Sequence, residues 1–79
     1  MSASSISRAA LGTAVRDLRA CLGLSQEQLA DLAHLHVTYL SGIERGRRNP
    51  SLDKLNDLAA ALEVSTLELI ARADATRAR

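Results

Sequence analysis

The sequence predicts an all-α fold of five short helices, and three observations lead there. Apolar residues recur at intervals of three and four along most of the chain. Serines stand where helical runs begin, at Ser25, Ser51 and Ser65, the residue type that caps a helix N-terminus. The hydrophobic fraction of 47% is mostly Leu and Ala, with one Tyr, no Phe and no Trp, a composition suited to close helix packing.

Residues 1–6 begin small and polar and are expected to fray. The first helix starts near Ser7, with Leu11, Val15, Leu18 and Leu22 on one stripe and Gly23 closing it. Ser25 opens the second helix, and Gln28 three residues on completes a capping box. Leu29, Ala30 and Ala33 then form a buried face, whereas Gln26, Glu27, Gln28 and Asp31 stay polar. The pattern fails at His34-Leu35-His36. A third helix is expected over about Val37 to Arg45, with Leu40 and Ile43 turned inward and Gly46 free to take the left-handed conformation that ends it. So short a joint makes the second and third helices a helix-turn-helix, with the small Ala30 suited to the crossing.

Pro50 keeps Arg47-Arg48-Asn49 out of helix. Ser51 caps the fourth helix, whose stripe is Leu52, Leu55, Leu58, Ala59 and Leu62, with Asp53 favoured at its positive end. Ser65, with Glu68 three residues later, opens a fifth helix through about Ala73. Leu67, Leu69, Ile70 and Ala71 cover more of its circumference than one core contact needs, which points to an intersubunit face or to a fuller closure of the core. Residues 74–79 are polar and expected to fray. No repeat or linker divides the chain, so residues 1–79 read as a single domain.

Composition narrows the function. Net charge is only +1, so any affinity for nucleic acid must come from where the charges lie. Arg45, Arg47 and Arg48 cluster, whereas Asp53, Asp57, Glu63 and Glu68 come later in the chain. One aromatic residue cannot build a stacking platform for single strands. Cys21 has no disulfide partner and no ligand neighbour at metal spacing, and reads as a small helix residue at a partly buried position. His34 and His36 do not share a helix face and lack a third ligand, so no metal or other cofactor is expected. No nucleophile with a base, carboxylate pair or glycine-rich phosphate loop suggests an enzyme or a small-molecule site. Without a membrane span or signal peptide, a cytoplasmic location is expected.

A helix fits the major groove, where each base pair presents its own donor and acceptor pattern. With Leu40 and Ile43 inward, Val37, Thr38, Ser41 and Gly42 should face outward and read bases, with Arg45 one turn further on. Phosphate donors belong at the rim of such a surface, among Ser25, Gln26, His36 and the arginine run that includes Arg47.

Leu24, Ser25-Gln26, Leu29-Ala30, Ala33, Leu35, Tyr39-Leu40-Ser41, Ile43-Glu44-Arg45-Gly46, Arg48-Asn49-Pro50 and Leu52 together make a specific pattern. On these residues the chain resembles the phage repressor and Cro-type helix-turn-helix family from about Leu11 to Ile70. Within it, the run from His36 to Gly46 looks most like the small controller proteins of restriction-modification systems. The resemblance implies a lambda-repressor-like arrangement with the helix-turn-helix in helices 2 and 3, and an ion pair between Arg19 and Glu44. It also implies phosphate contacts from Gln26, Tyr39, Arg45 and Asn49, and a base contact from Arg48, whose fork suits guanine O6 and N7.

The expected function is a homodimeric regulator on a palindromic double-stranded operator, its recognition helices roughly 34 Å apart. It would repress by covering a promoter or activate by contacting RNA polymerase. An antitoxin that also binds a toxin protein is the alternative. The chain departs from the family pattern at three places. His34 stands where a turn glycine is usual, His36 where a small cap is common, and Val37 where controller-like members often hold an arginine.

Overall fold

In the computed structural model, which describes residues 5–77, five helices follow one another: α1 Arg8–Cys21, α2 Gln26–Leu32, α3 Val37–Glu44, α4 Leu52–Ala61 and α5 Thr66–Arg77. Each opens on a side chain that accepts one of its orphan amide protons. Ser7 Oγ accepts from Ala10 N at 3.0 Å, and Ser51 Oγ from Lys54 N at 3.3 Å. Ser25 and Gln28 form the full reciprocal box, at 3.0 and 2.8 Å, and Ser65 with Glu68 repeats it more loosely, at 3.0 and 3.4 Å. At α3 the cap is an imidazole, with His36 Nδ1 accepting from Thr38 N at 3.2 Å.

The first four helices close alike. Leu24, Leu35, Arg47 and Val64 donate their amides to the carbonyls of Arg19, Ala30, Gly42 and Ala59, and the residue before each donates one rung further on. This is the Schellman pattern, which needs a left-handed residue just past the helix. Gly23 and Gly46 supply it at φ 69° and 74°, but His34 and Glu63 also adopt it, at 56° and 63°. His34, which stands where the family pattern has a turn glycine, is therefore a non-glycine residue held in the left-handed region.

Neighbouring helices follow the cyclic order α1, α3, α2, α4, α5 and back to α1. Leu11, Ala14, Val15 and Leu18 of α1 meet Leu29 and Ala30 of α2, Leu40 and Ile43 of α3, Leu58 and Ala59 of α4, and Leu69 and Ala73 of α5. Burial of this apolar area is the main stabilising term. Two close approaches set α3 against α1. A Cβ added to Gly12 would collide with the carbonyl oxygen of Ile43 and lie 2.6 Å from that of Glu44; one on Gly46 would lie 3.0 Å from Ala9 Cα.

Several expectations need correction. Leu22 and Leu52 lie outside the core, at 39% and 67% exposed, because each sits at a helix end where its stripe runs off the packed surface. Cys21 is exposed rather than partly buried. Ile6, expected to fray, packs against the core, and Asp74 to Arg77 continue α5. Residues 1–4 and 78–79 of the expected frayed ends lie outside the described residues.

Gly12→Ala tests the α1–α3 approach. Alanine in a helix interior gains about 1 kcal/mol over glycine, but overpacking here should cost about 1–3 kcal/mol. Thermal unfolding followed by circular dichroism should therefore show a lower melting temperature; a higher one would mean that the two backbones can separate freely.

Candidate nucleic-acid interface

The polar centre of the molecule is Glu44, at the end of α3. Its side chain is 3% exposed, and a carboxylate so placed needs charged and hydrogen-bonding partners. Arg19 of α1 donates from Nε to Oε2 at 2.7 Å and from Nη2 to Oε1 at 2.9 Å, a bidentate pair. Gln26, the first residue of α2, donates from Nε2 to Oε1 at 3.0 Å. The remaining terminal nitrogen of Arg19, Nη1, donates to the Leu24 carbonyl at 2.9 Å. The hydrogen bond to Glu44 raises the affinity of Arg19 for its proton, against burial, which lowers it; the negative charges of Glu44 and Glu27 add to the increase. No buried side-chain nitrogen or oxygen among the described residues lacks a hydrogen-bond partner.

This network holds α2 and α3 at a fixed relation, so the outer face of α3 is presented as a rigid unit. Thr38 is exposed and Ser41 half-buried on that face. Val37 is half-buried and packs against the core, leaving only part of its side chain outward. Beyond the helix, Arg45, Arg47, Arg48 and Asn49 are exposed, and none of the three arginines pairs with a carboxylate among the described residues. Uncompensated guanidinium groups beside a polar helix face make a local positive field on a nearly neutral molecule. Ser25 and His36 are exposed at the openings of α2 and α3. The Tyr39 ring is half-buried against the core, and its hydroxyl makes no hydrogen bond to another described residue.

The structure thus brings Thr38, Ser41, Arg45, Arg47, Arg48 and Asn49 onto or just after α3. Three expected roles change. Gly42 is buried beneath the side chain of Arg48 and does not form an open base-reading surface. Gln26 is engaged by Glu44 and is part of the internal network, so its amide is only partly free for a phosphate. Leu69 is fully buried in its own subunit's core and cannot lie on an intersubunit face, whereas Leu67 is 78% exposed, Ala71 is exposed and Ile70 is half-buried. Sequence reasoning missed the second partner of Glu44 and the covering of Gly42. Neither had a local signal, because each depends on residues brought together by the fold.

The profile of the helix-turn-helix family matches residues 15–69, and the chain belongs to this family of Cro-type regulators. The control protein C.SmaI of Serratia marcescens is 47% identical over 58 residues, covering 73% of this chain and 69% of that protein. Among solved structures, the restriction-modification controller protein C.AhdI from Aeromonas hydrophila is 45% identical, with a TM-score of 0.77 over 78% of this chain and 94% of its own. The clp gene regulator ClgR from Corynebacterium glutamicum is 35% identical, with a TM-score of 0.86 over 90% and 76%. The five-helix, Cro-type arrangement expected from the sequence is the one found. Among the described residues, no helix is long and apolar enough to cross a membrane.

Removal of the Glu44 carboxylate tests the network. Glu44→Ala leaves the Arg19 guanidinium and the Gln26 amide without their acceptor and should destabilise the fold by about 3 kcal/mol. Arg19→Ala should cost nearly as much, and the double variant little more than either, as measured by urea unfolding.

Proposed function

We propose that this DNA-binding regulator acts as a homodimer on a palindromic operator, as a controller of the kind that C.SmaI and C.AhdI represent. The observation that carries the reading is the exposed, uncompensated arginine group directly after α3, beside the polar face that bears Thr38 and Ser41. A helix of this size enters the major groove, and hydroxyls and guanidinium groups are the types that read base edges there. Thr38, Ser41 and Arg48 read bases, with the exposed part of Val37 available to a thymine methyl. Ser25, His36, Tyr39, Arg45, Arg47 and Asn49, with the free part of Gln26, contact phosphates, which position the protein without reading sequence. The regulator represses by covering a promoter or activates by contacting RNA polymerase.

The dimer reading rests on α5 and its junction with α4. Leu67 of α5 is 78% exposed and Leu52 of α4 67% exposed, and Thr66 Oγ1 joins the two helices by donating to Asn56 Oδ1 at 2.6 Å. Large leucines so exposed gain from being covered. A two-fold pairing through Leu67, Ile70 and Ala71 would cover Leu67 and set two α3 helices about one DNA turn apart, roughly 34 Å.

Two measurements check this. In gel shifts with the duplex that the unsubstituted protein enriches from a random pool, Arg48→Ala and Thr38→Ala should reduce discrimination against random DNA. Arg45→Ala should weaken both about equally and lower the salt slope by about one. Equal losses from all three substitutions would contradict the division into readers and phosphate contacts. Leu67→Glu should yield a folded monomer in sedimentation; an intact dimer would remove α5 from the interface.

A further inference from the structure

Gly42 has no conformational reason to be glycine. It lies inside α3, and the left-handed conformation occurs at Gly23 and Gly46 but not here. In a helix interior, glycine is less favourable than alanine. What occupies the space of its missing side chain is Arg48. A Cβ at position 42 would lie 2.5 Å from Arg48 Cγ, 3.5 Å from Nε and 3.6 Å from Cβ. The first of these distances is impossible for real atoms, and the collision involves the root of the side chain rather than its mobile tip.

We infer that Gly42 is a specificity-determining position that acts through Arg48, as the seat on which the arginine stem lies along α3. The chain reverses at Gly46, and the Arg47 amide donates to the Gly42 carbonyl at 2.8 Å, which brings the loop back beside the helix. Arg48 then crosses the helix surface at Gly42, four residues from Thr38 and hence on the same face. No hydrogen bond or ion pair to another described residue holds its guanidinium, so the fit of its stem against Gly42 is what limits its directions. A free arginine loses rotamer entropy when it is fixed. A stem already laid along the helix loses less, and its fork is aimed before DNA arrives. Arg48, a loop residue, thereby becomes part of the reading face of α3.

The inference rests on Arg48 as a base reader, and the experiment separates the two. Gly42→Ala, Arg48→Ala and the double variant are compared with the unsubstituted protein. The readout is the ratio of affinities for the duplex enriched by the unsubstituted protein and for a scrambled duplex, alongside melting temperature. Arg48→Ala should lower that ratio about tenfold, the usual contribution of one bidentate base contact. Gly42→Ala should lower it by a similar factor in a protein that still unfolds cooperatively, and the double variant should discriminate like Arg48→Ala alone. Full discrimination by Gly42→Ala beside a loss in Arg48→Ala overturns the seat. A further loss when Gly42→Ala is added to Arg48→Ala also overturns it, because Gly42 would then approach DNA itself. No loss in Arg48→Ala overturns the base-reading role and the seat with it.

Discussion

The buried carboxylate of Glu44 is the constraint around which the helix-turn-helix is arranged. Apolar contacts hold the five helices together, but they are non-directional and would tolerate small slides of one helix along another. A carboxylate that accepts two bonds from Arg19 and one from Gln26 does not tolerate them, since each bond weakens steeply with misalignment. The same arginine fixes the Leu24 carbonyl in the connection between α1 and α2. One charged pair therefore determines how α1, the opening of α2 and the end of α3 sit together, and the orientation of α3 follows.

Backbone contact completes what the ion pair begins. Gly12 lets α1 lie directly on the last carbonyls of α3, and Gly46 lets the turn after α3 rest on Ala9. One side of α3 is thus committed to the interior, through Leu40, Ile43 and Glu44, while Thr38 and the arginines after the helix stay in solvent. This division explains how a chain with a net charge of +1 concentrates positive charge where a polyanion would meet it.

The parts of this architecture legible in the sequence are those that depend on near neighbours. The capping box of Ser25 and Gln28, the caps at Ser51 and Ser65, the inward Leu40 and Ile43 and the closing glycines all follow from residues a few positions apart. The Arg19–Glu44 pair was legible only through the family pattern, since 25 residues separate the partners. Gly12 and Gly42 look like defects in otherwise sound helices until Ile43, Glu44 and Arg48 are seen to fill the space beside them. Leu52 and Leu69 show the same limit from the other side. Each fits a stripe, but only the packed structure shows that the first lies outside the core and the second completely within it.

At the joint of the motif His34 sits at a positive φ between two backbone hydrogen bonds, from its own amide to the Asp31 carbonyl and from the Leu35 amide to the Ala30 carbonyl, and α4 ends on Glu63 in the same way. A side chain in that conformation costs about 1–2 kcal/mol, yet the hydrogen bonding at these two ends matches that at Gly23 and Gly46. The bend between the two helices is therefore written in main-chain amides rather than in the residue at its apex. That apex is a chemically open position, where an exposed imidazole can be carried at the surface without altering the angle at which α3 is presented.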